Sequence, residues 1–155
     1  MIYLAKLLYG FAKISTSVIY VQAYHETGNF KSKIFKENSN LFGMRKPSKR
    51  KTFATGSQNG HAVFKSHWDS IRDYFERQKN FRINSVGDEE YMISTVASGY
   101  AEDKNYLSKW KNLNISVKSP VDNLYFAFIF FFFFISVLIW FGTISNNKNN
   151  NSKFK

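Results

Sequence analysis

Between Leu124 and Ile144 the chain runs 21 residues without a charge. As a helix at 1.5 Å per residue this run would be about 31 Å long, enough to cross the hydrocarbon core of a bilayer. Tyr125 and Trp140 fall near its two ends, where interfacial aromatic residues sit. The alternative is a buried core helix, but 21 uncharged residues exceed what such a helix needs. The run divides the chain into a domain at 1–112, a polar linker at 113–123 containing Pro120, a transmembrane helix at 124–144 and a disordered Asn- and Lys-rich tail at 145–155. Lysines flank the run on both sides, so the positive-inside rule sets no orientation.

The charge belongs to the domain. Formal net charge is +11, and all but three of the 22 Lys and Arg residues precede residue 120. Such an excess favours an anionic partner: nucleic acid, an anionic membrane surface or an acidic cell-wall polymer. A basic helix interleaved with exposed aromatics is missing, so no specific nucleic-acid interface is expected. With no cysteine and three scattered histidines, the chain offers no disulfide framework and no zinc-ligand spacing, and no metal or cofactor is expected. Arg45-Lys46-Pro47-Ser48-Lys49-Arg50-Lys51 carries five positive charges in seven positions. It reads either as a solvated loop or as a contact to phosphate or carboxylate on a polymer, with Arg45 and Lys46 as the contact residues. A nuclear-localisation reading of this run is disfavoured by the anchor.

Helical periodicity dominates the first 112 residues. Met1–Ala12 has the outline of a signal peptide with a cleavage site at Val21-Gln22-Ala23. Lys13 and Ser15-Thr16-Ser17 interrupt it, however, and the preferred reading is a short helix, a break near Gly10 and a second helix capped by Ser15, Thr16 or Ser17. Val18, Ile19, Val21 and Ala23 would face the core. Lys51–Thr55 and His61–Lys65 alternate as strands joined by Gly56–Gly60, a hairpin signal. Ser66 caps a helix with Trp68, Ile71, Tyr74 and Phe75 inward and Asp69, Arg72, Asp73, Glu76 and Arg77 outward. Asp88-Glu89-Glu90 opens the next helix, and Asp103 caps a last one, from Lys104 to about Asn112.

Within this pattern Glu26 stands out. It ends an apolar helix, Gly28 stops that helix just beyond it, and no Lys or Arg lies within four positions. A lone carboxyl at the end of a buried helix has its pKa raised and keeps a proton near neutral pH.

Four stretches carry a resemblance: Val21-Gln-Ala-Tyr-His-Glu-Thr-Gly28, Asn40-Leu-Phe-Gly-Met44, Ala62-Val-Phe-Lys65 with Asp69-Ser-Ile-Arg-Asp-Tyr74, and Gly99-Tyr-Ala-Glu-Asp-Lys-Asn-Tyr106. In this order and spacing, over about residues 10–112, the chain resembles the family-73 glycoside hydrolases, peptidoglycan hydrolases of bacteria and phages of the endo-β-N-acetylglucosaminidase type. The resemblance implies an α+β, mainly helical, lysozyme-like domain with a small β-hairpin lobe. It implies Glu26 as general acid and Tyr100 beside the sugar at the cleavage point. Asn40, Phe42, Gly43 and the hairpin would wall the cleft, and the substrate partner would be peptidoglycan glycan strands.

One departure follows. The family's second acid is usually placed in the hairpin lobe, and here no Asp or Glu lies between Glu37 and Asp69. Either the substrate's 2-acetamido group acts as nucleophile with help from Tyr100, or Glu37, Asp69 or Glu102 reaches the site, or the protein is a catalytically weak or inactive glycan-binding component of a virion or envelope. A hydrolase domain with a tail anchor suggests a phage protein acting in entry or lysis. It would be held in the bacterial inner membrane or in the membrane of a lipid-containing virion, with residues 124–144 in the bilayer and the domain facing the wall.

Overall fold

The structure is a computed structural model, and it describes residues 1–116 and 133–137. The chain divides into two compact units, Met1–Ser119 and Pro120–Lys155. Apart from residues 133–137, which are helical, the span expected at 124–144 and the tail at 145–155 lie outside the described residues. Among the described residues no helix is long and apolar enough to cross a membrane.

The first unit is mainly helical with one small antiparallel sheet. In order it holds α1 (Ile2–Leu8), α2 (Thr16–Glu26), α3 (Lys33–Asn38), β1 (Gly56–Gln58), β2 (His61–Val63), α4 (His67–Asn80), α5 (Asp88–Ala97) and α6 (Tyr106–Ser116). α6 runs past the helix end expected near Asn112.

α2 is the central rod. Val18, Ile19, Val21, Gln22 and Ala23 are wholly buried. Each large apolar side chain so buried contributes roughly 1.5–3 kcal/mol by area. Ser15 caps α2 by accepting from the Val18 amide, and its own amide donates to Asp88 Oδ1 at 2.7 Å, which ties the start of α5 to the start of α2. α6 packs on α2 through Trp110, whose indole N–H donates to the Val18 carbonyl at 2.9 Å. α4 supplies Ile71, Tyr74 and Phe75 to the same core. The stretch with the outline of a leader is part of this core: Ile2 and Ala5 pack inside, and the buried Lys6 ammonium closes the break after α1 on the Ile14 carbonyl at 2.6 Å.

The second strand of the hairpin starts at His61 as expected, but the first ends three residues closer to the tip. β1 occupies Gly56–Gln58, the stretch expected to be the flexible tip, and Gln58 faces His61 across the turn. Asn59 and Gly60 make that turn with φ of 52° and 77°, the left-handed pair a two-residue hairpin needs. The Asn-Gly dipeptide outweighed the alternation of Lys51–Thr55. That segment instead straps onto α4, where the Phe53 amide donates to Asp73 Oδ1 at 2.9 Å. The other edge of β2 is stitched by the end of α3 and the loop after it: the Ala62 amide donates to Met44 O and the Phe64 amide to Asn38 O.

Two residues of α4 expected to face solvent are inside. Asp73 is fully buried against Arg50, and Arg77 is only 9% exposed. Helical spacing gave the apolar residues Ile71, Tyr74 and Phe75 of α4 correctly, but it could not show that the basic loop folds back over Asp73 or that Ser98 and Tyr100 lie against Arg77. The last helix starts at Tyr106, two residues later than expected. Asp103 shapes the turn before it, with Oδ1 accepting from the Asn105 amide at 2.8 Å and its carbonyl from the Tyr106 amide.

Candidate active site

The last residue of α2 is Glu26, and the helix ends there because the chain turns left-handed at Gly28, with φ of 53°. Thr27 locks the turn, donating to Ala23 O at 2.6 Å and accepting from the Phe30 amide. The carboxyl is thereby presented to a cleft of about 540 Å³, within the range of ligand-binding clefts. Glu26 Oε1 accepts from the Tyr106 hydroxyl at 2.5 Å. Oε2 lies against Gly43, where a Cβ would sit 3.0 Å from it. Gly43 also has φ of 59°, so both the backbone and the carboxyl call for glycine there.

Burial raises the Glu26 pKa above the ordinary carboxylate range, and the Tyr106 hydrogen bond pulls in the opposite direction without cancelling it. Tyr106 belongs to a buried polar chain. Its hydroxyl accepts from Gln22 Nε2, Gln22 Oε1 accepts from Tyr74, and Tyr74 and Tyr91 share a 2.5 Å hydrogen bond. Gln78 Nε2 contacts both of those hydroxyls and Thr95 Oγ1. Burial pushes the phenols of Tyr74, Tyr91 and Tyr106 upward, so these partners stay neutral while Glu26 titrates. Beside them His25, whose ring centroid is 5.6 Å from that of Tyr106, has its pKa lowered by burial and then by Lys109.

The other residues expected at the site divide. Phe42, Gly43 and Arg45 line the cleft, and so does Tyr100, whose hydroxyl donates to Phe42 O at 2.8 Å. Lys46 is exposed and is not part of the lining. Asn40 does not face the cleft, contrary to expectation. It is wholly buried, its amide nitrogen donating to Met44 O and Ala62 O and its oxygen accepting from the Phe42 and Met44 amides. Asn40 therefore shapes the loop that carries Phe42 and Gly43. Of the three acids considered as partners for Glu26, only Glu102 lines the cleft. Asp69 is committed to the start of α4, accepting from Ser66 Oγ and pairing with Arg72, and Glu37 is exposed on α3. Among the described residues no three His, Cys, Asp or Glu side chains gather as a metal site.

Tyr106 and Gln22 were missed as site residues. Their signal was present: Gln22 and Glu26 are four apart on one helix, so they share a face and reach the same hydroxyl.

The glucosaminidase family model, described as mannosyl-glycoprotein endo-beta-N-acetylglucosaminidase, matches residues 4–118. No curated protein sequence matches the chain. Among solved structures, the fold is similar to a peptidoglycan hydrolase from Sphingomonas sp. A1, with TM-score 0.58 and 19% identity over 72% of this chain and 82% of that one. It is also similar to the glycoside hydrolase domain of FlgJ from Salmonella typhimurium, C-terminally truncated, with TM-score 0.51 and 22% identity over 74% and 91% of the two chains. A chain in a type VI secretion effector–immunity complex from Pseudomonas protegens matches with TM-score 0.58 and 17% identity over 72% and 79%. At these identities the structural likeness speaks for the fold. The family match covers most of the chain: the protein belongs to the glucosaminidase family and is a glycoside hydrolase.

Proposed function

We propose that the protein hydrolyses β-1,4 glycosidic bonds of peptidoglycan as an N-acetylglucosaminidase, with Glu26 as general acid. The observation that carries this reading is a partly buried carboxyl at the cleft wall, fixed by Tyr106 and kept protonated to higher pH by burial. Glu26 gives its proton to the leaving glycosidic oxygen as the bond to C1 breaks. The 2-acetamido oxygen of the same sugar closes onto C1, and Tyr100 lines the cleft beside the developing cation. Water then opens the ring intermediate while the Glu26 carboxylate takes a proton back. Substrate assistance of this kind needs no second carboxylate and retains configuration at C1.

Glu102 supports a second reading, because it is an exposed acid in the lining of the same cleft. As a base that activates water it would give inversion. Mass spectrometry of fragments released from purified peptidoglycan identifies the bond cut, and the anomer first formed separates the two mechanisms. Wall binding without any fragment would leave a glycan binder and defeat both.

The pH profile carries a sharper test of Tyr106. The acid must be protonated to act, so kcat/KM falls as pH rises through the Glu26 pKa. The Tyr106 hydrogen bond favours the ionised form. Removing it in Tyr106→Phe moves the basic limb to higher pH. A limb that stays put or moves down would show that this hydrogen bond does not tune the catalytic acid.

The uncharged run 124–144 would hold the enzyme in a bacterial inner membrane or a virion membrane, where it would open the wall during phage entry or lysis. Retention in the bilayer through alkaline carbonate washing is expected; release into the supernatant would exclude an integral anchor.

A further inference from the structure

Arg77 is 9% exposed, and among the described residues it has no carboxylate partner. A guanidinium withdrawn from water is normally matched by an anion, because desolvation costs several kcal/mol. Here only neutral groups hold it. Nη1 donates to Gln78 Oε1 at 2.9 Å and Nη2 to Ser98 Oγ at 2.9 Å. Cζ lies 4.5 Å from the Phe81 ring centroid and 4.7 Å from that of Tyr100. Ring faces and amide dipoles orient the charge without neutralising it. The donor fork is only partly used, and the residue lines the cleft.

The neighbouring charges leave this cation uncancelled. Arg50 lines the same cleft but is matched by buried Asp73 at 2.8 Å. Arg45, exposed in the lining, pairs with no acid among the described residues. Of the acids in the lining, Glu26 is held by Tyr106 and is protonated before it acts, whereas Glu102 is exposed and pairs with neither arginine. Phe81, 49% exposed, gives the corner an apolar platform.

We propose that Arg77 and Arg45 form a carboxylate subsite, so that the cleft selects a glycan bearing acidic substituents over a neutral N-acetylglucosamine polymer. This rests on the glycan-hydrolase reading. The carboxylate is supplied either by the lactyl arm of a muramyl sugar or by the peptide stem attached to it. Arg77 offers a carboxylate the guanidinium N–H groups that Gln78 and Ser98 leave unused, and Arg45 adds charge from the loop.

The test uses the full chain in detergent, carrying Glu26→Gln so that bound sugar is not consumed. Calorimetry measures affinity for three oligosaccharides of equal length: a neutral chitin fragment, a muramyl-containing glycan stripped of peptide, and the same glycan with its stems. Carboxylated glycan is expected to bind roughly tenfold more tightly than neutral glycan, the scale of a charged hydrogen bond. An advantage already present in the stripped glycan assigns the lactyl carboxylate, and one that appears only with stems assigns the peptide. Arg45→Gln, a surface change, and Arg77→Lys, which keeps the charge but loses the planar fork, should each reduce the ratio. Equal binding of all three, or a ratio that survives both substitutions, overturns the subsite. Binding of none overturns the glycan reading itself, and the subsite with it.

Discussion

Glu26→Gln is expected to lower kcat on peptidoglycan by about three orders of magnitude, the middle of the range for a positioned general acid. The substitution keeps size and shape. The Gln oxygen can still accept from Tyr106, and the side chain still fits against Gly43, whose missing Cβ leaves the room. What disappears is the proton for the leaving oxygen. Stability should not fall. The Glu26 pKa is raised in the folded chain, so its contribution to stability is fully present below the unfolded pKa and is lost as pH rises through the folded one. At neutral pH a buried carboxylate therefore opposes folding, and a neutral amide removes that opposition. Release of reducing ends measures the first effect and thermal unfolding the second. Unchanged hydrolysis would take Glu26 out of the mechanism. Lost activity together with a lower unfolding temperature would assign it a structural part instead.

The contrast between Glu26 and its neighbours shows what a sequence displays and what it hides. Glu26 was legible because isolation from cations, a helix end and a following glycine are all local features. α2 and α5 were legible for the same reason: the Ser15 cap and apolar residues of α2, and the three acids in the first turn of α5, lie within a few residues of one another. Tyr106 entered only as the last residue of the Gly99–Tyr106 motif, because its bond to Glu26 joins positions 80 apart. Asn40 misled in the opposite way. Its motif marks a loop beside the cleft, but the side chain spends every polar atom on that loop and on the Ala62 carbonyl of β2. Arg77 and Asp73 repeat at solvent-facing positions of α4, and no periodicity reveals that Arg50 of the basic loop covers Asp73 or that Ser98 and Tyr100 close over Arg77. The hairpin was misplaced because alternation was weighed above Asn59-Gly60, although the turn fixes register more strongly.

The covering loop is where a single substitution should cost most stability. Asp73 is fully buried at the centre of three contacts: Arg50 Nη2 at 2.8 Å, Arg50 Nη1 at 3.2 Å and the Phe53 amide at 2.9 Å. Asp73→Ala leaves a guanidinium whose side chain is 9% exposed without its anion, and a backbone N–H without an acceptor. Breaking such a pair from one side costs about 3–5 kcal/mol, much of it from the orphaned charge. Asp73→Asn should fall between, because an amide oxygen can still accept from Phe53 while the charge balance is lost. Replacing both partners, as in Arg50→Met with Asp73→Leu, removes the orphan and should recover most of the loss. Urea unfolding of the wild type and these three variants ranks them. A double variant as unstable as Asp73→Ala would mean that packing, and not charge matching, holds the loop. The loop also carries Arg45 and Pro47 into the cleft lining, so Asp73→Ala should weaken glycan binding even where the domain remains folded. Fixing the basic loop on α4 then serves the cleft as much as the core: a cation can be offered to a substrate at a defined place only if the chain bearing it is itself anchored by a matched one.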